Sequence, residues 1–150
     1  MAQKLGKFLL AATMIGYFVY SNFFAYGSKV TFGPNEEVYY TKGATEDEAR
    51  KVGKVLQDLE IFTGSKTASL QLQKDGSGYL LRVVTQDKSW DDPEVCDSMA
   101  YIGGFVSKGL SGANVKVDLC DDSFKSKKIV AMKDMVEEPA PEAQATPAKP

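Results

Sequence analysis

Residues 8–26, FLLAATMIGYFVYSNFFAY, contain no charged side chain. At about 1.5 Å of rise per residue such a run makes a helix roughly 28 Å long, close to the roughly 30 Å thickness of a bilayer's hydrocarbon core. The sequence therefore predicts a transmembrane anchor over residues 1–27 and a chain that works at a membrane. Lys4, Lys7 and the amino terminus precede the run, whereas Lys29, Glu36 and Glu37 follow it. The positive-inside rule then predicts a cytoplasmic N-terminus, with residues 28–150 outside the cytoplasm. Ala25 and Gly27 offer the small residues of a cleavage site. The apolar run nevertheless exceeds the roughly 7–15 residues of a secretory signal core, so a signal anchor that is not cleaved is expected. Tyr17, Tyr20 and Tyr26 have polar tips that suit the interface at the far end of the span.

What is missing narrows the chemistry. The chain has no histidine, which removes the commonest zinc ligand and the commonest general base at neutral pH. Its two cysteines, Cys96 and Cys120, permit one disulfide and no metal framework. Serine and threonine hydroxyls lack their usual activating base. A non-catalytic protein without a cofactor or metal is expected, and a small thiol- or metal-dependent enzyme is the catalytic alternative. Eighteen basic residues stand against twenty acidic ones, a formal net charge of −2, with no basic stripe to draw in phosphate. Nucleic acid is therefore not an expected partner, although Tyr39 or Tyr40 and Tyr79 would be placed for base stacking.

After a short tether at 28–35, residues 36–135 supply one domain's worth of chain. EEVYYT reads as a strand stopped at Lys42 and Gly43. Thr45 and Glu48 form a T-x-x-E capping box, and Ala49, Val52, Leu56, Leu59 and Phe62 recur at helical spacing up to a cap at Gly64. ASLQLQ alternates Ala68, Leu70 and Leu72 with Ser69, Gln71 and Gln73, a strand with one buried and one wet face. DGSG at 75–78 turns the chain into YLLRVVTQ. Asp92 then caps a helix with Pro93 in its first turn, carrying Val95, Met99, Ile102, Val106 and Leu110 on one stripe. Gly103 and Gly104 fall inside this helix, which must pack closely there or break. Val115, Val117 and Leu119 mark another strand, and KIVAM at 128–132 a short edge strand. This order predicts an α+β, ferredoxin-like βαββαβ fold, an antiparallel sheet with two helices on one face. The last segment, 136–150, is rich in Pro, Ala and Glu and predicts a disordered tail.

The uncovered sheet face is the candidate site. Leu80, Arg82 and Val84 share that face of their strand, and the apolar pair among them suggests a protein partner or self-association across the sheet. The topology brings Cys96 and Cys120 to the same end of the domain, where a disulfide needs Cα atoms within about 7 Å; strand parity, however, points Cys120 away from the Val115 face. Asp91, Asp92, Asp97, Asp118, Asp121 and Asp122 converge on that end too. They offer oxygen ligands for a weak calcium site, but their spacing matches no calcium loop, and Asp92 suits a helix cap, Asp91 the helix dipole, and Asp121 and Asp122 a solvated turn.

The segment VYYTKGATEDEARKVGKVLQDLEIFTGSKTASLQLQKDGSGYLLRVV, within residues 37–84, resembles the sporulation-related repeat (SPOR) domains of bacterial envelope proteins. The likeness lies in a strand ending at Gly43, an acidic helix start, and a strand that begins at Tyr79 and carries Arg82. In the second half VTQDKSWDDP stands where those domains have a Gly-Pro-Phe step. The resemblance implies a membrane-anchored βαββαβ module that binds peptidoglycan, with Tyr39, Tyr79 and Arg82 as the glycan platform and Leu80 and Val84 beside it.

Overall fold

The T-x-x-E box works as its sequence predicts. Thr45 Oγ1 accepts from the Glu48 N–H, the Glu48 carboxylate accepts from the Thr45 N–H, and the first helix starts there. The computed structural model describes residues 26–87 and 89–133. Its elements are β1 (Ser28–Thr31), β2 (Glu36–Thr41), α1 (Glu46–Asp58), β3 (Ala68–Asp75), β4 (Gly78–Val84), α2 (Pro93–Gly109), β5 (Val115–Cys120) and β6 (Ser126–Ala131). The fold is α+β, one six-stranded sheet with two helices. Among the described residues no helix is long and apolar enough to cross a membrane. The expected anchor, apart from its last residues Tyr26 and Gly27, and the expected tail lie outside the described residues.

The βαββαβ order is present, with one strand added at each end. The pairing is not that of an all-antiparallel sheet. Strands lie in the order β1-β2-β3-β4-β5-β6, and β2 with β3 and β4 with β5 run parallel. Each helix thus links two adjacent parallel strands, and the β3–β4 hairpin joins the two units antiparallel. The tether expected at 28–35 is largely structure: Ser28–Thr31 pairs with β2 as an edge strand.

Cross-strand register assigns the faces. Val38, Leu70 and Val83 form one row and Leu72, Leu81 and Val117 another, all on the same side of the sheet. Val52 and Leu56 of α1 and Val106 of α2, with Leu110 at the end of α2, complete that core. A Cβ built on Gly109 would lie 2.7 Å from Val55 Cγ2, so the helices touch each other as well. Both helices therefore cover one face. Because β2 and β4 point in opposite directions and both crossovers step the same way across the sheet, two helices on one face require crossovers of opposite hand. One of them departs from the right-handed rule for parallel βαβ units.

A Cβ on Gly103 would stand 3.1 Å from Val117 Cγ2 and from Met132 Cβ, so the mid-helix glycine lets α2 approach β5 and the chain after β6. Gly64 does not cap α1. The helix ends at Asp58 with Leu59 as its C-cap, Glu60 takes a positive φ of 56°, and the Ile61 and Phe62 N–H groups both donate to the Leu56 carbonyl. The Thr63 and Gly64 N–H groups instead donate to Glu36 Oε1 at 2.7 and 2.8 Å, which satisfies a carboxylate buried at the start of β2.

Candidate interaction face of the sheet

Strand alternation sends every second side chain to the face that carries neither α1 nor α2. Register aligns Tyr39, Gln71, Arg82, Asp118 and Ile129 in one row across it, and Thr41, Gln73, Leu80, Lys116 and Ala131 in the next. This face was expected to be wet. Instead Gln71, Gln73, Leu80 and Asp118 are all buried.

Part of the cover comes from the described start of the chain. Gly27 has a φ of 80°, and a Cβ there would sit 2.3 Å from the Tyr40 carbonyl oxygen, so only glycine makes this bend. The bend brings Tyr26 onto the second face. Its carbonyl accepts from Gln71 Nε2 at 3.1 Å, and its ring lies 5.9 Å from Tyr39 and 5.6 Å from Phe124. Phe124 arrives from the loop between β5 and β6 and stands edge-on to Tyr39 at 5.8 Å. Three rings from three distant parts of the chain thus close the face, in the tilted and edge-on geometries that aromatic quadrupoles favour.

Beneath the rings runs a polar chain whose members satisfy one another. Arg82 donates from Nη1 to Gln71 Oε1 and from Nε to Asp118 Oδ2, each at 3.3 Å. Asp118 Oδ1 accepts from Ser126 Oγ at 2.6 Å. At the β2 margin, Glu37 accepts from Lys29 Nζ and Tyr39 Oη, both at 2.7 Å. Burial favours the neutral acid at Glu37, yet the Lys29 and Tyr39 bonds outweigh it and hold the carboxyl below its usual range. Tyr39 is pushed up to about 12 by burial and by the Glu37 carboxylate. The Cys120 thiol is likewise pushed up to about 12, by burial and then by Asp118.

The structure divides the residues predicted to act together. Tyr39, Leu80, Arg82 and Val84 share the second face, as expected. Tyr79 does not: it is paired in register with Lys74 and Val115 on the helix side, where its hydroxyl donates to Glu48 Oε1 at 2.5 Å. The parity of β4 that puts Arg82 on one face necessarily puts Tyr79 on the other. Cys96 and Cys120 are free. Cys96 lies on α2, above the first face, and its thiol donates to the Trp90 carbonyl. Cys120 lies in register with Val84 on the second face, so the sheet separates the two thiols.

The aspartates do not converge. Asp91 pairs with Lys128, Asp97 with Lys133, Asp121 with Lys127 and Asp118 with Arg82, while Asp92 caps α2. Among the described residues no group of three acidic or cysteine side chains is arranged to hold a metal ion. Sequence reasoning missed Phe124 and the role of Tyr26. The signal for the second was present, an aromatic residue at the end of an apolar run followed by glycine; Phe124 sits in a polar turn that marks it in no way.

No curated protein and no solved structure matches this chain. The AF_1994_N family N-terminal domain matches residues 29–132, more than half of the sequence, and the chain belongs to that family.

Proposed function

We propose that this protein is a single-pass, membrane-anchored binding or scaffolding module, with its folded domain outside the cytoplasm. One observation carries the reading: the uncharged run 8–26 leads into the sheet without slack. Its last residue, Tyr26, is already bonded to Gln71 and stacked among rings, and β1 begins two residues later. Such a joint fixes a rigid domain at a bilayer rather than leaving it on a flexible leash. We assign partner binding to the outer side of α2. There Tyr101 is 46% exposed, Lys133 Nζ stands 5.3 Å from its ring centroid, and Pro93, Glu94, Asp97 and Ser98 line a shallow groove beside it. A large exposed aromatic next to paired charges has the composition of an interface anchor.

The experiment is fractionation of cells expressing the full chain, followed by an alkaline wash. The full chain is expected to stay with the membranes, and a variant lacking residues 8–25 to leave them. Release of the full chain by the wash rejects the anchor. Orientation is read from thiol labelling of intact cells with a membrane-impermeant reagent, under denaturing work-up so that buried Cys120 also counts. Labelling only after permeabilisation places the domain in the cytoplasm. A peptidoglycan-binding module, the alternative implied by the SPOR resemblance, retains Tyr39 and Arg82 on one face without Tyr79; co-sedimentation with purified sacculi tests it.

A further inference from the structure

We infer that the second face of the sheet lies against the bilayer, with the lipid headgroup region as its partner, and that the helix layer looks away from the membrane. The inference rests on the anchored reading above and adds an orientation to it.

A span that ends at Tyr26 ends on this face, since the Tyr26 carbonyl is held by Gln71 and its ring by Tyr39 and Phe124. The bilayer must lie on the side from which the chain arrives. The chain runs tight against β2 at Gly27, where a Cβ would collide with the Tyr40 carbonyl and the Thr41 side chain.

Tyrosines with apolar bodies and polar tips belong at the membrane–water boundary, and Tyr26 and Tyr39 share this face. The charges near its centre are neutralised in place, Arg82 by Asp118 and Glu37 by Lys29, so approaching a low-dielectric surface leaves none unpaired. Ile129 ends the Tyr39–Gln71–Arg82–Asp118 row on the edge strand and is 56% exposed. One exposed isoleucine is ordinary by itself, but here it extends a face already closed by rings. Lys29 and Lys116 stand half exposed at the same face, paired with Glu37 and Asp75, so its margins too carry no net charge to hold it off a headgroup layer. The starts of the two helices are acidic, with Glu46, Asp47 and Glu48 in the first turn of α1 and Asp92 and Glu94 at the start of α2, while Arg50, Lys74 and Lys133 pair with Glu46, Glu48 and Asp97.

The test measures depth in the membrane-reconstituted full chain. Ile129 lies four strands from Tyr39, about 19 Å across the sheet, so it reports whether the whole face and not only the joint is near lipid. Ile129→Trp and Tyr101→Trp are made separately in a Trp90→Phe background. Each is placed in phosphatidylcholine–phosphatidylglycerol vesicles containing lipids spin-labelled near the headgroup. The same two substitutions with Trp90 retained give the comparison by difference. Tryptophan at 129 is expected to be quenched about threefold more than at 101, because the helix layer adds about 10 Å of distance. Equal or reversed quenching in protein that survives an alkaline wash overturns the orientation and leaves the anchor standing. Loss of the protein in that wash overturns the anchor and the orientation with it.

Discussion

Asp118 is an acid at a position that strand alternation assigns to water, yet its side chain is only 1% exposed. It persists there because Arg82 and Ser126 occupy both of its oxygens. Removing one member of a buried ion pair strands the other, which costs about 3–5 kcal/mol where the remaining charge cannot reach water. Arg82 keeps 24% of its side chain exposed, so the lower end, about 3 kcal/mol, is expected for Asp118→Ala. The double variant Arg82→Met, Asp118→Leu should recover most of that loss, and urea unfolding of the three proteins measures it. If the single and double variants lose the same stability, the loss of Asp118 does not strand Arg82. Of this centre, the sequence made Arg82 legible by parity. It did not make legible that Asp118 was buried, because Tyr26 comes from a segment far from β5 in the chain, and Phe124, in the turn that follows β5, gives no sign in the sequence of folding back over the face.

At the scale of elements, local chemistry was readable wherever two signals agreed. Thr45 with Glu48 and Asp92 with Pro93 placed both helix starts, since each supplies a side-chain acceptor for orphan N–H groups. Thr45→Ala should cost about 1 kcal/mol by losing the Glu48 N–H acceptor. Gly78→Ala should cost more, about 1–3 kcal/mol, because its Cβ would meet the Asn114 backbone oxygen at 2.4 Å and a main chain fixed by the Tyr79 N–H bond cannot yield. The order of these two losses in thermal or urea unfolding checks the assignment. Strand pairing was less legible. Amphipathic stripes place both helices over one sheet face, whereas the right-handed crossover rule applied to adjacent parallel strands places them on opposite faces. The βαββαβ order alone does not say which strands become neighbours. Here the contact of Gly109 with Val55, and of Gly103 with Val117, keeps the two helices together on one layer.

For the whole molecule, the absence of histidine has a thermodynamic consequence. With no histidine in the chain, no side chain has its ordinary titration range between the carboxylates and the cysteines. On the acid side, burial favours neutral Glu37 and Glu48, but hydrogen bonds from Lys29 and Tyr39 to the first, and from Tyr79 and Thr45 to the second, lower both below the usual range. A lowered carboxyl contributes stability that is present above its unfolded value and is lost as pH falls through the folded one. On the alkaline side, Tyr39 and Cys120 are each pushed up to about 12, from ordinary values of 10.0 and 9.0. A raised group contributes stability that is complete below its unfolded value and disappears as pH rises towards the folded one. Folding stability should therefore form a flat plateau from about pH 5 to about pH 9, falling on both sides. The alkaline fall should begin at the second sheet face, where Tyr39 and Cys120 both lie. Tyr39→Phe should remove its share of that fall, since a phenyl ring fills the same space among Tyr26 and Phe124 and cannot ionise, and should also make the acid limb shallower, because Glu37 loses the Tyr39 hydrogen bond that helps hold its carboxyl below the usual range. Denaturant midpoints of the two proteins between pH 4 and pH 11 make the comparison, and a slope between pH 6 and pH 8 in either would show that some other ionisation governs the fold.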